Sequence, residues 1–251
     1  MKDGIIMEIK TDLHTHTIAS DHAYSTILEN VTYAKKHGLE AIAITDHGLS
    51  TPDCPHKWHF GNLKIIPQNI DGVLVLKGAE CSYIDMDANL DIDEGVLKGL
   101  DVVIGSMHYG GKIPTFKNKE DFISLILKAC ENPYIDILGH ISRIDFILDE
   151  NDCELIAKTA KDNNKLIELN NECLVKGECY KNNACTLMKA CNKLKAEICV
   201  NTDAHFALLV GKMDEAKKLL SKICFDENLI VNRNLDSLRN YLINKGKTVD
   251  F

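Results

Sequence analysis

The sequence predicts an α/β fold: a distorted (β/α)7, TIM-like barrel, one domain over residues 1–251, with a metal site at the C-terminal strand ends. Three observations predict it. Short apolar, β-branched runs alternate with amphipathic stretches from end to end, as in repeated strand–helix units around a parallel sheet. Several runs are near-continuously apolar, such as Ala41-Ile42-Ala43-Ile44 and Val102-Val103-Ile104, which suits strands covered on both faces. Six runs end on His, Glu or Asp, and the strand ends of a barrel meet at one mouth.

Taken in order, strands are expected over residues 9–14, 40–45, 73–79, 101–107, 135–139, 165–170 and 197–202. A helix over 25–37 places Ile27, Val31 and Ala34 on one face, with Gly38 as its stop. Residues 119–131, 149–163, 183–195 and 212–221 carry the same pattern, the last with Met213, Ala216, Leu219 and Leu220 on one stripe. A final helix near 234–245 ends at Gly246 and is placed to close the barrel bottom or side. A TIM barrel has about eight units, so seven imply a distorted relative. No Pro/Gly/Ser-rich linker, low-complexity segment or fixed-period repeat divides the chain.

Bulk composition narrows the function. Hydrophobic residues make up 45% and charged residues 26%, ordinary for a core-forming protein. A formal charge of −8 argues against long nucleic acid held by bulk attraction. It leaves room for an anionic small substrate, because bound divalent ions make a pocket locally positive. Residues Met1 to Met7 show neither the apolar core nor the cleavage pattern of a signal peptide. No run reaches the roughly 18 apolar residues of a membrane span, so the expected setting is cytoplasmic, with no membrane partner; the oligomeric state stays open. The ten cysteines include no Cys-x-x-Cys and are expected to be reduced thiols, mostly buried as small hydrophobes. Cys173, Cys179, Cys185 and Cys191 recur every six residues, about 240° of helix per step, and do not share one face.

Nine side chains are candidate metal ligands, eight of them at or just past the expected strand ends and His22 six residues after His16: His14, His16, His22, His47, Glu80, His108, His140, Asp203 and His205. Four protein groups fill a structural zinc site and about three plus water make a catalytic one, so nine suit two or three ions. In a strand, residues i and i+2 point to the same side, which brings His14 and His16 into the mouth together. Asp203-Ala204-His205 repeats the device on the last strand. Glu80, Asp203 and His205 are also the candidate catalytic residues. His37, before Gly38 at a helix C-terminus, is assigned a structural role. His56 and His59, in Pro55-His56-Lys57-Trp58-His59-Phe60, belong either to a substrate-facing lid or to a packed loop.

The run Asp12-Leu13-His14-Thr15-His16, His22, Thr45-Asp46-His47, Glu80, His108, His140 and Asp203-Ala204-His205 resembles, in order, the pattern of the polymerase-and-histidinol-phosphatase (PHP) family of metallophosphoesterases. The 55–60 loop, Ile167-Glu168-Leu169-Asn170-Asn171 and Asn201-Thr202-Asp203 are most similar to its bacterial YcdX-type phosphatase branch. The resemblance implies a distorted (β/α)7 barrel with a trinuclear site holding three divalent ions, zinc first, manganese or iron as alternatives. By the same analogy His14, His16, Glu80 and Asp203 hold one ion. Glu80, as a bridge, holds a second with His108 and His140; His22, His47 and His205 hold the third. Ile141-Ser142-Arg143 and Tyr109-Gly110-Gly111-Lys112 depart from the branch on the pocket rim, which leaves substrate choice open.

The implied activity is a metal-dependent phosphatase that hydrolyses a phosphate monoester through a metal-activated water. Asp46 is placed to orient ligands or shuttle protons, and Asp12 to fix an imidazole from behind. Asn170 and Asn171 are candidates to contact substrate or water. Lys57, Lys112 and Arg143 are candidate phosphate contacts, with solvated charge as the alternative. The rival readings are a histidinol-phosphate phosphatase, a phosphodiesterase or nucleotidase, an amidohydrolase and a non-catalytic, metal-stabilised interaction module. The amidohydrolase would need a strand-end lysine in the bridging position, which this chain lacks.

Overall fold

Period-two alternation turns the predicted runs into a barrel. The computed structural model describes residues 7–108 and 116–249. Among these, seven parallel strands pair in chain order: β1 (Thr11–Thr15), β2 (Ala41–Ile44), β3 (Val73–Ser82), β4 (Val102–Ser106), β5 (Ile137–Leu138), β6 (Leu166–Asn170) and β7 (Ile198–Asn201). A two-residue strand, Asn69–Ile70, adds antiparallel to β3. The helices of nine residues or more are α1 (Ile27–Lys36), α2 (Lys119–Glu131), α3 (Glu150–Asp162), α4 (Glu178–Leu194), α5 (Asp214–Lys222) and α6 (Leu235–Asn244). Only short helices, Trp58–Asn62 and Glu94–Leu97, follow β2 and β3, so the outer layer is thin there.

Inward positions of the lower strands make the barrel floor. Ala41, Ala43, Leu74, Leu76, Val102, Ile104, Ile137 and Leu166 form one buried cluster, while Ile42, Ile44, Val73 and Val75 point outward to pack with Val31 and Ala34 of α1. Each Val, Leu or Ile side chain among them stabilises the fold by about 1.5–3 kcal/mol when fully buried. Helix α6 seals the bottom, as the sequence predicts. Its Leu238, Tyr241 and Leu242 join the floor cluster, and the Tyr241 hydroxyl donates to the Asp136 carbonyl at 3.0 Å.

The barrel is nearly closed. Between β7 and β1 a backbone bridge joins Thr15 to Ala204, and side chains complete the seam. The Asn232 amide donates to the carbonyls of Thr11 (2.8 Å) and Val200 (2.7 Å), and its oxygen accepts from the Val200 N–H. Buried amide bonds here replace ladder bonds the strands do not make. The pairing of β1 with β2 shifts register between Asp12 and Thr15, so Leu13 joins the floor while His14 reaches the mouth.

Helix α1 starts at Ile27, two residues inside the expected 25–37. Thr26 and Glu29 form a capping box, and Gly38 turns the chain with φ +75°. Helix α4 begins five residues earlier than the sequence pattern suggests, at Glu178 directly after Gly177. Of the cysteines, Cys81, Cys130, Cys153, Cys173, Cys191 and Cys199 are buried and all ten are free thiols. No helix among the described residues is long and apolar enough to cross a membrane.

Candidate metal centre

Above the floor, the inward positions change from apolar to ionisable on the same strands. On β3 they run Leu74, Leu76, then Glu80; on β6, Leu166, then Glu168 and Asn170. Glu80 is the hub. Its Oε2 lies 3.3 Å from His14 Nε2, 3.5 Å from His16 Nε2, 3.4 Å from His47 Nε2 and 3.0 Å from His108 Nε2. Its Oε1 lies 2.8 Å from His140 Nε2. Four strand ends thus deliver five imidazoles to one buried carboxylate. Asp203 adds a second, with Oδ1 3.0 Å from His16 Nε2 and 3.4 Å from His14 Nε2. His205 stacks on His16 with ring centroids 4.2 Å apart, and His22 stacks on His205 at 4.4 Å. All nine predicted ligands therefore converge at the mouth.

His14, His16, Glu80 and Asp203 can offer donor atoms within 4.8 Å of one another; so can His16, His47 and His205, and His47, Glu80 and His108. The Nε2 atoms of His14, His108 and His205 are buried and make no hydrogen bond. Leaving such groups unmet costs about 1–3 kcal/mol each, and a divalent cation meets that need. The backbone is strained at the same place: His140 has φ +25° and Asp203 φ +57°, conformations costing about 1–3 kcal/mol for residues with a side chain.

Charge is set for cations too. Burial favours neutral Glu80, but His108 and His14 overrule it and hold its pKa well below the carboxylate range. Burial acts likewise on Asp203, and His14 and His16 hold it low. Burial and the neighbouring His16 push His47 down to about 3 and His205 to about 4. Ionised carboxylates and neutral imidazoles are the states that bind metal. Burial would also lower His14 and His108, but Glu168, Glu80 and Asp203 around His14 and Glu80 beside His108 raise both.

The residues behind these side chains are only partly legible in the sequence. Glu168, which the sequence reading gave no role, is fully buried. Its Oε1 lies 2.8 Å from His14 Nδ1 and accepts from the Asn201 amide at 2.9 Å; its Oε2 accepts from the His140 N–H at 2.7 Å. Inward parity with Leu166 and Asn170 is the signal that could have found it. Ser82 Oγ sits 2.8 Å from His108 Nδ1, and Asp53 meets His22 and His47. Asp12 does not contact an imidazole, contrary to expectation. Its carboxylate accepts from Thr202 N–H and Oγ1 and from Gly211 N–H, closing the β1–β7 seam, and burial raises its pKa to about 6. Asp46 accepts from Thr17 N–H and from the Thr17 and Ser20 hydroxyls, fixing the turn between His16 and His22.

A cavity of about 330 Å³ opens over the cluster, and Arg143, Lys176, Glu172 and Met107 share its lining. Asn170 donates to Asp203 Oδ2 at 3.2 Å, whereas Asn171 accepts from the Ala216 N–H near the start of α5. His59 Nε2 lies 3.0 Å from Asp46 Oδ2. His56 and Lys57 line a separate groove of about 1180 Å³ that includes none of the nine ligands. Lys112 lies outside the described residues.

Comparison with known proteins agrees with this geometry. The family described as PHP domain matches residues 12–228. A probable phosphatase of Thermoanaerobacter sp. (strain X514) is 38% identical over 247 residues, covering 97% of this chain and 98% of its own length. One of Clostridium novyi (strain NT) is 37% identical over 245 residues, with 97% and 98% covered. Among solved structures, histidinol phosphate phosphatase from Lactococcus lactis subsp. lactis Il1403, complexed with zinc, L-histidinol and phosphate, superposes with a TM-score of 0.61 at 19% identity, over 86% of this chain and 94% of that one. A chain of an archaeal ribonuclease P with mature tRNA gives 0.56 at 13% identity, over 93% and 90%. At these identities both structures speak to the fold alone.

Proposed function

The chain belongs to the PHP domain family and is a phosphoric ester hydrolase, and from that premise we propose that it hydrolyses a small phosphate monoester with three divalent cations at the barrel mouth. The observation that carries this reading is the ring of five imidazoles on Glu80. It pairs a bridging carboxylate with more nitrogen donors than one ion can use. His14, His16, Glu80 and Asp203 suit one ion, Glu80, His108 and His140 a second, and His22, His47 and His205 a third. Nitrogen-rich sets favour zinc, with manganese or iron as alternatives. Bound there, the ions would supply a water acidified toward neutral pH and positive charge opposite the phosphoryl oxygens.

The chain's own residues do the rest. Glu168 fixes the His14 ring so that Nε2 faces Glu80 and Asp203, and Ser82 does the same for His108. Asn170 holds the second oxygen of Asp203. Arg143, on the cavity wall without an ion-pair partner among the described residues, meets the substrate's anionic end. We place the activity in the cytoplasm, on a soluble phosphorylated metabolite. The test is a panel of phosphate monoesters, histidinol phosphate included, with a phosphodiester control, assayed with zinc or manganese. Metal-dependent release of inorganic phosphate from monoesters is expected; hydrolysis of the diester alone, or none with any metal, refutes the reading.

A further inference from the structure

The nine side chains at the mouth are held in two different ways. His14, His16, Glu80 and Asp203 are buried, on or directly beside barrel strands. His22 instead sits in the turn before α1, with its side chain 55% exposed. What fastens it is Asp53, on the segment after β2. Asp53 Oδ2 lies 2.8 Å from His22 Nδ1 and also 2.8 Å from His47 Nδ1. The two segments are tied as well by the Asp21 N–H, which donates to the Asp53 carbonyl at 3.2 Å. Among the described residues no lysine or arginine pairs with this carboxylate. The contact to His22 is a hydrogen bond, whereas the same oxygen lies against His47 Nδ1 without forming one. Nε2 is what each has left to offer, and in His47 that atom already faces Glu80 at 3.4 Å.

We propose that Asp53 is the positioning residue of a separately loaded cation site formed by His22, His47 and His205, setting its affinity so that the ion there binds last and leaves first. A carboxylate behind a ligating imidazole fixes the ring and raises its basicity. Here the carboxylate does so for His22, on an exposed turn, and stands 2.8 Å from Nδ1 of a second imidazole, His47. The ions on Glu80 and Asp203 have no such dependence, because Glu168, Ser82 and the strands hold those ligands. The inference rests on the three-cation reading of the mouth but does not require phosphate hydrolysis.

The experiment dialyses the zinc-loaded protein against graded zinc buffers and counts bound zinc by elemental analysis, for the wild type, Asp53→Asn and Asp53→Glu. The wild type should release one ion before the other two. Asp53→Asn should weaken only that first ion, by about 10- to 100-fold, and Asp53→Glu should recover most of the loss. Melting curves of the ion-free proteins should coincide, which separates lost orientation from lost fold. Simultaneous release of all ions from the wild type, wild-type affinity in Asp53→Asn, or loss of every ion in that variant overturns the proposal. A wild type that releases zinc in steps yet cleaves no monoester would sink the proposed function and leave this inference standing.

Discussion

The floor and the mouth of this barrel use the same strands and the same inward parity, yet they are stabilised in opposite ways. At the floor, Leu74, Leu76, Val102 and Leu166 are buried among other apolar side chains and α6, and burial is their whole contribution. A few residues further on, Glu80, Glu168 and Asp203 are equally buried but carry charge, and among the described residues they form ion pairs only with imidazoles. Uncompensated buried charge is costly. The floor is therefore complete as folded, whereas the mouth needs cations to be complete. Catalytic capacity and local instability arise from one substitution of chemistry along a strand.

The largest expected effect comes from removing a mouth ligand. Asp203→Ala should bring phosphate release to background with any added metal, while the ion-free variant melts close to the ion-free wild type. Turnover within about tenfold of wild type by a metal-loaded Asp203→Ala protein would break the contrast. Leu74→Ala tests the other side. A cavity in the floor should cost about 2–5 kcal/mol, measured by denaturant unfolding, and by the same amount with and without zinc. A cost that vanishes on adding zinc would mean that floor and mouth are one unit.

Glu168→Gln sharpens the boundary between them. It keeps the size of a side chain one turn of alternation above the floor residue Leu166 but removes the charge beside His14 Nδ1. Zinc affinity should fall by about 10- to 100-fold with little change in ion-free stability.

The fold was legible because alternation and apolar runs are local signals. Where they weaken, the boundaries slip: β5 is expected over 135–139 but its ladder pairs are Ile137 and Leu138, with the Asp136 and Gly139 N–H groups still donating to β4, and α4 starts at Glu178, before its apolar stripe. The convergence of the nine side chains at the mouth was legible because all but His22 lie at or just past strand ends, which meet in a barrel. The groups behind them were not. Glu168 meets His14 across 154 residues of sequence, and Asp53 meets His22 across 31; neither contact leaves a period to read. Asp12 misled for the opposite reason. Its closeness to His14 suggested a ring contact, but its side chain faces the seam and binds Thr202 and Gly211.

The smallest effect is a pH dependence confined to the mouth. Carboxylates raise the pKa of His14 and His108 above the usual imidazole value, so the ion-free protein holds protons there to higher pH than free imidazoles would, and an entering cation must displace them. Zinc uptake should release protons, and affinity should rise with pH by up to about tenfold per unit for each proton displaced. The linkage to folding has the opposite sign for these two groups. With folded pKa values above the unfolded one, their contribution to ion-free stability is full below about pH 6.5 and is lost as pH rises through the folded values. Glu80 and Asp203, held low by neighbouring histidines, contribute stability above about pH 4 that is lost as pH falls through their folded values. Calorimetric zinc titrations in buffers of different ionisation enthalpy count the protons. Proton-neutral uptake at pH 7 would show that the mouth, like the floor, is already in its final state before any cation arrives.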